Sequence, residues 1–292
     1  MIPLEAIEKD PALLKQAVRA LSPKVLGSIL DLTDLRPIAT EEDTKKLCEL
    51  ANRFGSTICI HPSALYFAGG GSIRQRIRYP RVRAIATVID FPFGAQMYKV
   101  KGDAVFYALS IGAQEIDMVL DISRLVQGDF SFIFEELDYV ADILLSVQSG
   151  TCECAILKVI QENCYLSDME TKRRVIHIIS SVAERKGIKM FAKTSTGFGL
   201  PVEGKPNGAT LEDVWYMTDE AEDFGARRGT RVGIKASGGI RNSETAVKMM
   251  LAGGCFHDTL ELKDNLPSIF RIGTSAGEKI MSEFEEMKKQ VS

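Results

Sequence analysis

The sequence predicts an α/β fold in which eight parallel strands, each followed by helical sequence, close into a (β/α)8 or TIM barrel. Eight short apolar runs rich in β-branched residues recur along the 292 residues, as is typical of parallel strands buried on both faces. Amphipathic helical patterns fill the gaps, and this strict alternation favours right-handed βαβ units. Eight such units can close, and no low-complexity linker interrupts the chain, so we expect a single domain over residues 1–292.

The predicted strands are the apolar runs themselves, because strands of this kind are continuously hydrophobic rather than alternating. Hydrophobic residues make up 45% of the chain, which is enough to surround such strands with a sizeable core. In chain order, the predicted strands span residues 25–33, 56–62, 83–91, 115–122, 154–160, 189–196, 232–238 and 270–276.

Capping residues mark the boundaries of several predicted helices. Thr40 precedes the acidic start of EEDTKKLCELANRF and can cap that helix, and Gly55 is a natural stop. Ser167 precedes a second amphipathic stretch, which carries basic residues near its end and stops at Gly187. Residues 1–24 are predicted to form an extra N-terminal helix, packed on the outside of the barrel or over its N-terminal end.

Composition and charge argue against several classes of protein. The net charge of −3 provides no positive field for nucleic acid or for an anionic membrane surface. The N-terminus lacks the apolar core of a signal peptide, and no run approaches the roughly 18 apolar residues of a membrane span, so we expect a cytoplasmic protein. The six cysteines follow no disulfide or zinc-finger spacing and are expected to be thiols: Cys48, Cys59, Cys152, Cys154, Cys164 and Cys255.

Polar residues late in the apolar strands are the candidate reacting groups, because the active site of such a barrel lies at the C-terminal ends of its strands. Lysine is seldom buried in an apolar run without a partner or a purpose. A single lysine could simply extend to solvent, but three on consecutive strands would converge on one barrel mouth. The candidates are Asp31 and Thr33 on strand 1, Asp117 on strand 4, and Lys158, Lys193 and Lys235 on strands 5 to 7.

Converging lysines predict amine chemistry. Repulsion between ammonium groups and loss of solvation both lower the pKa of a lysine from its ordinary value of about 10.4. A neutral amine can then add to a carbonyl group and form a Schiff base. Asp117 could move protons, so these residues would supply an electron sink, an activator and an acid/base group without a metal or another cofactor.

Glycine-rich loops follow the last three strands, at residues 193–199, 236–241 and 271–277. The last two each open a helical pattern. Backbone N–H groups after strands 7 and 8 form the usual phosphate site of a TIM barrel. Many turns contain glycine, so each loop alone is a weak indication. Two such loops at the expected strands, beside a lysine cluster, predict a phosphate site.

The strand-end motifs together resemble those of the deoxyribose-phosphate aldolase family. In order they are LDLTDL, ICIHP, AIATVIDFPFG, AQEIDMVLDI, LKVI, FAKTSTGF, GIKASGGIR and RIGTSAG, and they extend from about residue 28 to residue 277. The resemblance implies a class I (Schiff-base) aldolase that reversibly cleaves 2-deoxy-D-ribose 5-phosphate to D-glyceraldehyde 3-phosphate and acetaldehyde. It also implies a homo-oligomer, either a dimer or a tetramer.

The same resemblance implies roles for individual residues. Lys193 corresponds to the Schiff-base lysine, Lys235 to a second lysine that lowers its pKa, and Asp117 to the acid/base residue of a proton relay with an ordered water. Polar positions around this site correspond to Asp31, Thr33, Lys158 and Thr196. The phosphate-binding positions correspond to Gly197, Gly238, Gly239, Gly273 and Ser275.

Several departures from the family pattern leave alternatives open. The turn ENC at 162–164 replaces a common ETG, VEGKPNG at 202–208 lengthens a loop, Ala276 replaces a serine, and the C-terminus lacks a tyrosine. One alternative is a Schiff-base aldolase or transaldolase for another phosphosugar. The other is a barrel with weakened catalysis that serves as a binding or scaffold protein. A zinc-dependent aldolase is not favoured, because the three histidines lie on separate segments.

Overall fold

The computed structural model of this protein describes residues 1–67, 82–148, 155–166, 168–201 and 206–291. Eight parallel strands pair in sequence order, and β8 pairs with β1, so the sheet is a closed barrel. The predicted (β/α)8 fold is confirmed. The strands are β1 Leu30–Asp34, β2 Thr57–Ile60, β3 Ile85–Ile89, β4 Glu115–Val119, β5 Ile156–Ile160, β6 Met190–Lys193, β7 Gly233–Ser237 and β8 Phe270–Thr274.

Seven of the predicted apolar runs contain a whole strand, and β1 begins inside the first run and ends one residue beyond it, at Asp34; all eight strands are shorter than the runs. The largest difference is in the first run, where Pro23–Ile29 is a helix and the strand begins only at Leu30. Local chemistry explains this: Pro23 suits the first helical turn, and the Ser22 side chain accepts a hydrogen bond from the Val25 N–H. The prediction of a strand from residue 25 is therefore wrong, and the strand occupies the second half of the run.

Helices surround the barrel and connect its strands. Two short 3-10 turns, Pro62–Leu65 and Asn163–Tyr165, follow β2 and β5. The helices of the described chain are α1 Leu4–Lys9, α2 Pro11–Ala20, α3 Pro23–Ile29, α4 Glu41–Phe54, α5 Tyr98–Ser110, α6 Ile122–Val126, α7 Phe130–Gln148, α8 Met169–Lys186, α9 Leu211–Arg228, α10 Ser243–Ala252, α11 Leu266–Ile269 and α12 Gly277–Val291.

Helix caps agree with the sequence pattern at α4 and differ from it at the start of α8. Thr40 forms a reciprocal capping box at the start of α4, and Gly55 ends that helix in the left-handed conformation. Asp168 caps α8 through its side chain, and Gly187 ends it. Ser167, the residue expected before this helix, lies outside the described residues.

The N-terminal extension consists of two helices rather than the one expected. They divide at Asp10, whose side chain accepts a hydrogen bond from the Ala12 N–H, and Pro11 begins the second helix because it cannot continue the first. Helix α1 contacts α9 and α10, and α2 contacts α10 and α12, so the extension packs on the outside of the barrel. Trp215 Nε1 on α9 donates a hydrogen bond of 2.9 Å to the Ile2 carbonyl oxygen and so holds the first residues of the extension in place.

Two further expectations concern membranes and cysteines. Among the helices of the described ranges, none is both long enough and apolar enough to cross a membrane. Cys152 and Cys154 lie outside the described residues. The described cysteines are all buried and none forms a disulfide: Cys48, Cys59, Cys164 and Cys255.

A buried ion pair lies between the barrel wall and two of its helices. Lys101 on α5 is fully buried, and its Nζ lies 2.5 Å from Glu136 Oε1 on α7. The same ammonium group donates to the carbonyl oxygens of Gly94 at 3.1 Å and Val119 at 2.9 Å, and Asp90 Oδ2 lies 3.2 Å from it. All three N–H donors of this lysine are therefore used, and the pair ties the loop after β3 and the end of β4 to α5 and α7.

Candidate active site at the C-terminal end of the barrel

Strand register places two of the candidate lysines side by side. Lys193 at the end of β6 is the register partner of Lys235 on β7, and Asp117 on β4 is the partner of Lys158 on β5. Their side chains meet inside the barrel. Asp117 Oδ2 accepts a hydrogen bond from Lys193 Nζ at 2.7 Å and another from Lys235 Nζ at 2.8 Å. The three residues expected to be catalytic are thus in direct contact.

A second layer of charged groups lies beneath this contact and is closed to solvent. Lys158 Nζ lies 2.8 Å from Asp31 Oδ2 and 2.5 Å from Glu115 Oε2. Arg271 from β8 donates to Asp31 Oδ1 and to Glu115 Oε1, both at 3.0 Å. Because Asp31 Oδ2 also accepts a hydrogen bond from Lys235, it connects the two layers.

The barrel centre holds more cationic than anionic side chains. An isolated buried charge is strongly disfavoured, so the group of charges is balanced when one lysine is deprotonated. Among the described residues of the barrel centre, four cations face three carboxylates: Lys158, Lys193, Lys235 and Arg271 on one side, and Asp31, Glu115 and Asp117 on the other.

The directions of the pKa shifts indicate which lysine loses its proton most readily. Burial lowers the pKa of Lys193 below its ordinary value, Asp117 opposes that shift and Lys235 adds to it. Burial acts in the same direction on Lys235, but Asp117 and Asp31 outweigh it and raise the pKa of that lysine. The pKa of Lys158 is also raised, well above its ordinary value, because three carboxylates outweigh its burial. Of these three lysines, Lys193 is the only one whose pKa is lowered, so it loses its proton most readily.

The two central aspartates remain ionised. Burial acts to raise the pKa of Asp117, but the three neighbouring lysines hold it well below its usual range. Burial likewise acts to raise the pKa of Asp31, and Lys158, Lys235 and Arg271 lower it overall. Both carboxylates can therefore accept hydrogen bonds and pair with a cation on the neighbouring nitrogen atoms.

Lys193 also differs from its neighbours in access. It lines a cleft of about 700 Å³ at the C-terminal end of the barrel and is 4% exposed. Asp31, Asp117, Lys158 and Lys235 lie beneath the floor of the cleft and are fully buried. Of these five residues, Lys193 is therefore the one that a small molecule in the cleft would contact.

One side of this cleft is built from the glycine-rich loops. At Gly238 φ is +89°, and a Cβ atom there would lie only 2.7 Å from Gly208 Cα, so only glycine fits. Helices α10 and α12 begin just after these loops, and helix N-termini favour anions. The structure brings together the residues expected around the phosphate, together with two threonines: Gly197, Gly238, Gly239, Gly273, Ser275, Thr33 and Thr196.

Two aromatic rings also line the cleft. The rings of Phe91 and Phe198 meet edge to face, with their centroids 5.3 Å apart, and both rings line the cleft. Phe91 comes from the loop after β3 and Phe198 from the loop after β6, so the pair spans the barrel mouth near Lys193. Beneath Phe91 lies a small cluster of buried side chains: Leu35, Cys59, Ala86 and Val88.

Several residues of this site were not singled out by the sequence pattern. Glu115 precedes Asp117 by two residues on β4, and the period-two alternation of a strand points both side chains to the same face. Arg271 is a charge inside an apolar strand, like the lysines. These two signals could have found both residues. Phe91 and Phe198 carry no comparable signal, because their contact depends on where two distant loops meet.

Comparison with known proteins places the chain in a family. No family model matches it. A curated deoxyribose-phosphate aldolase from Caldanaerobacter subterraneus subsp. tengcongensis is 36% identical over 266 residues, which cover 91% of this chain and 94% of that protein. Another, from Thermotoga maritima, is 35% identical over 265 residues, 89% of this chain and 86% of that protein. This chain belongs to the deoxyribose-phosphate aldolase family.

A solved structure agrees with that membership. The deoxyribose phosphate aldolase of Aeropyrum pernix, described as a unique tetramer, is 27% identical and matches with a TM-score of 0.69 over 96% of this chain and 99% of that one. As a member of the deoxyribose-phosphate aldolase family, the chain is an enzyme of the lyase class. The predicted aldolase function is confirmed at that level.

Proposed function

We propose that this aldolase reversibly cleaves 2-deoxy-D-ribose 5-phosphate to D-glyceraldehyde 3-phosphate and acetaldehyde, with Lys193 as the Schiff-base lysine. One observation chiefly supports the assignment of Lys193: this residue has a lowered pKa and also lines the cleft. Of the lysines in the described barrel centre, Lys158 and Lys235 have neither property. The names of the relatives suggest the substrate.

The first step is addition of the neutral Lys193 amine to the aldehyde carbon, C1, of the open-chain sugar. The neutral adduct takes up one proton from solvent, loses water and becomes an iminium ion with one positive charge. Asp117 Oδ2 lies 2.7 Å from Lys193 Nζ and can stabilise that charge. Lys235, held protonated by two carboxylates, disfavours protonation of the free amine before the sugar arrives.

The second step breaks the bond between C2 and C3 of the sugar. The C3 hydroxyl loses its proton, C3 becomes the aldehyde carbon of glyceraldehyde 3-phosphate, and the electron pair moves to C2 to give an enamine on Lys193. Protonation of C2 restores an iminium ion, and addition of water releases acetaldehyde. Asp117 is ionised and is therefore the proposed proton acceptor, acting with an ordered water and later returning the proton.

The phosphate group of the substrate is proposed to bind at the glycine-rich side of the cleft. Backbone N–H groups of Gly197, Gly238 and Gly239 and the Ser275 hydroxyl are candidate donors, near the starts of α10 and α12. Gly273 also leaves room for the side chain of Lys235, because a Cβ atom at this position would lie 3.1 Å from Lys235 Cε. The remaining proposed site residues support the lysines from below or line the wall of the cleft: Asp31 and Lys158 below, Thr33 and Thr196 in the wall.

Borohydride trapping tests this proposal. The protein is reduced in the presence of acetaldehyde, digested, and mapped by mass spectrometry, while a coupled assay follows cleavage of 2-deoxyribose 5-phosphate. We expect an adduct on Lys193 alone, together with cleavage of this sugar. An adduct on Lys158 or Lys235 would contradict the assignment. A scaffold without catalysis would give no adduct, and an aldolase for another phosphosugar would give the adduct with little cleavage.

We also propose that the enzyme is a cytoplasmic homo-oligomer that binds a small phosphosugar and neither nucleic acid nor membrane. The tetramer described for the Aeropyrum pernix relative supports an oligomer. Size-exclusion chromatography with light scattering should give the mass of a dimer or a tetramer. A monomer at micromolar concentration would contradict this part of the proposal.

A further inference from the structure

A buried glutamate holds the loop that follows β6. Glu162 comes just after β5 and is 1% exposed. Its Oε2 accepts a hydrogen bond from the Thr196 N–H at 3.0 Å and a short one from the Thr196 hydroxyl. The Cys164 thiol donates to its Oε1, with 3.7 Å between sulfur and oxygen. The carboxylate of Glu162 thus fixes both the backbone and the side chain of Thr196.

Thr196 passes this constraint along the loop. Its Oγ1 accepts a hydrogen bond from the Phe198 N–H at 3.0 Å, while its hydroxyl proton is donated to Glu162. A hydroxyl group has only one proton, so in this arrangement Thr196 has none to donate to a ligand. Its contacts therefore favour support of the loop over recognition of the substrate.

Glu162 also has an unfavourable backbone conformation and closely packed neighbours. Its backbone is left-handed, with φ 51° and ψ 66°, a conformation that is unfavourable for a residue with a side chain. The loop closes tightly over it, because a Cβ atom on Gly199 would lie 2.6 Å from Cys164 Sγ and 3.3 Å from Glu162 Cδ. A strained residue in a closely packed position indicates that its contacts matter to the structure around it.

We propose that Glu162 is a positioning residue that sets the distance between the Lys193 amine and the phosphate-binding side of the cleft. The loop it holds contributes Thr196, Gly197 and Phe198 to the cleft wall, whereas Glu162 does not line the cleft. This inference rests on the proposed phosphosugar function. If the loop moves, the phosphate and the carbonyl carbon no longer fit at once, and the binding energy of the phosphate no longer places the reacting carbon.

The test compares Glu162→Ala with Glu162→Gln, whose amide oxygen can still accept the hydrogen bonds from Thr196. We expect Glu162→Ala to raise KM for 2-deoxyribose 5-phosphate about tenfold, the size of effect of one lost buried hydrogen bond. Its activity on unphosphorylated 2-deoxyribose and its rate of borohydride trapping with acetaldehyde should change by less than about twofold. Glu162→Gln should keep most of the preference for the phosphorylated sugar.

A second pair of variants examines the other end of the same hydrogen bond. Thr196→Val removes the hydroxyl and leaves Glu162 in place, and Thr196→Ser keeps the hydroxyl. The inference expects Thr196→Val to lose the phosphate preference as Glu162→Ala does, and Thr196→Ser to restore it. This pair keeps the inference testable should Glu162→Ala fail to fold.

Three results would overturn the inference. Equal losses on both sugars, or loss of acetaldehyde trapping in the folded variants, would mean that Glu162 supports the whole site rather than the phosphate distance. A phosphate preference unchanged in Glu162→Ala and Thr196→Val would mean that it positions nothing. A wild-type enzyme that uses both sugars equally would instead contradict the proposed phosphate site. This result in the wild type distinguishes failure of the proposed function from failure of the inference about Glu162.

Discussion

Two regions of this aldolase bury a lysine against carboxylates, and they differ in how fully the ammonium group is used. Lys101, between the barrel wall and helices α5 and α7, donates to Glu136 and to two backbone carbonyl oxygens. Lys193, in the barrel mouth, donates within the described chain to Asp117 alone. Lys101 is fully buried, whereas Lys193 borders the cleft.

Under the proposed mechanism, this difference separates a structural lysine, Lys101, from the reactive one, Lys193. An ammonium group whose three N–H donors all meet good acceptors holds its surroundings together. An ammonium group with one acceptor, desolvated and beside another cation, is closer to losing its proton. Burial of a lysine is therefore a weak sign of function on its own. Its unused donors and its access to a cavity are the stronger signs.

The largest effect in this comparison should come from Lys193→Met. Without the amine no Schiff base forms, so we expect kcat to fall at least about a thousandfold and borohydride trapping to disappear at every pH. The free energy of unfolding should change little, because burial already disfavours the charge on the Lys193 amine. Steady-state kinetics and mass spectrometry measure both. Lys193→Arg is the control that keeps a cation without a nucleophilic amine, and a residual adduct on another lysine would break the comparison.

Lys101→Met should lower stability and leave acetaldehyde trapping intact, which is the opposite of the pattern expected for Lys193→Met. It leaves the Glu136 carboxylate buried without its cation, so we expect the free energy of unfolding to fall by about 3–5 kcal/mol. The folded variant should still trap acetaldehyde at a rate within about twofold of the wild type. Urea unfolding followed by circular dichroism measures the stability. Lys101→Met combined with Glu136→Leu should regain most of the loss, and an acetaldehyde adduct on Lys101 in the wild type would refute the distinction.

Lys235→Leu should sharpen the comparison through pH. Lys235 lowers the pKa of Lys193, so its removal should raise that pKa and leave about tenfold less neutral amine near neutrality for each unit of the rise. The deficit in the rate of acetaldehyde trapping should be largest near pH 7 and should shrink as the pH rises toward the pKa of Lys193. The rate of trapping across pH measures this. An undiminished rate near neutrality would assign the activating role to Lys158.

Chelation of metal ions should not change the activity of the enzyme. The three histidines lie on separate elements, and within the described ranges no three side chains of the types that bind metals gather in one place. An iminium ion accepts electrons without a Lewis acid. We expect kcat/KM to be unchanged after dialysis against EDTA. Activity that falls and is restored by zinc would contradict a lysine mechanism.

Much of the fold could be predicted because it depends on local patterns. Strands buried on both faces leave continuous apolar runs, and eight of them at regular spacing predict a closed barrel. Convergence of the strand ends also predicted that Lys193, Lys235 and Asp117 would lie together, and the strand register brings them into contact. The roles of these residues and of the phosphate loops stay predictions, which trapping and steady-state kinetics test.

The rest could not be predicted because it depends on contacts between distant parts of the chain. The apolar run from residue 25 is compatible with a strand or a helix, and only its surroundings decide between them. Lys101 and Glu136 are 35 residues apart, and no sequence period joins them. Glu162 was noticed only as part of an unusual turn, since its contact with Thr196 depends on the path of the next loop.

The attachment of the N-terminal helices also determines what the protein's fluorescence reports. Trp215 is the only tryptophan in the chain, and its indole N–H donates to the Ile2 carbonyl oxygen. Arg19 Nε donates to the Val291 carbonyl oxygen at 2.8 Å, so the same extension also joins the two ends of the chain. Trp215 is not among the residues that line the cleft. Intrinsic emission should therefore follow release of the N-terminal helices during unfolding and should stay constant while the cleft fills with sugar.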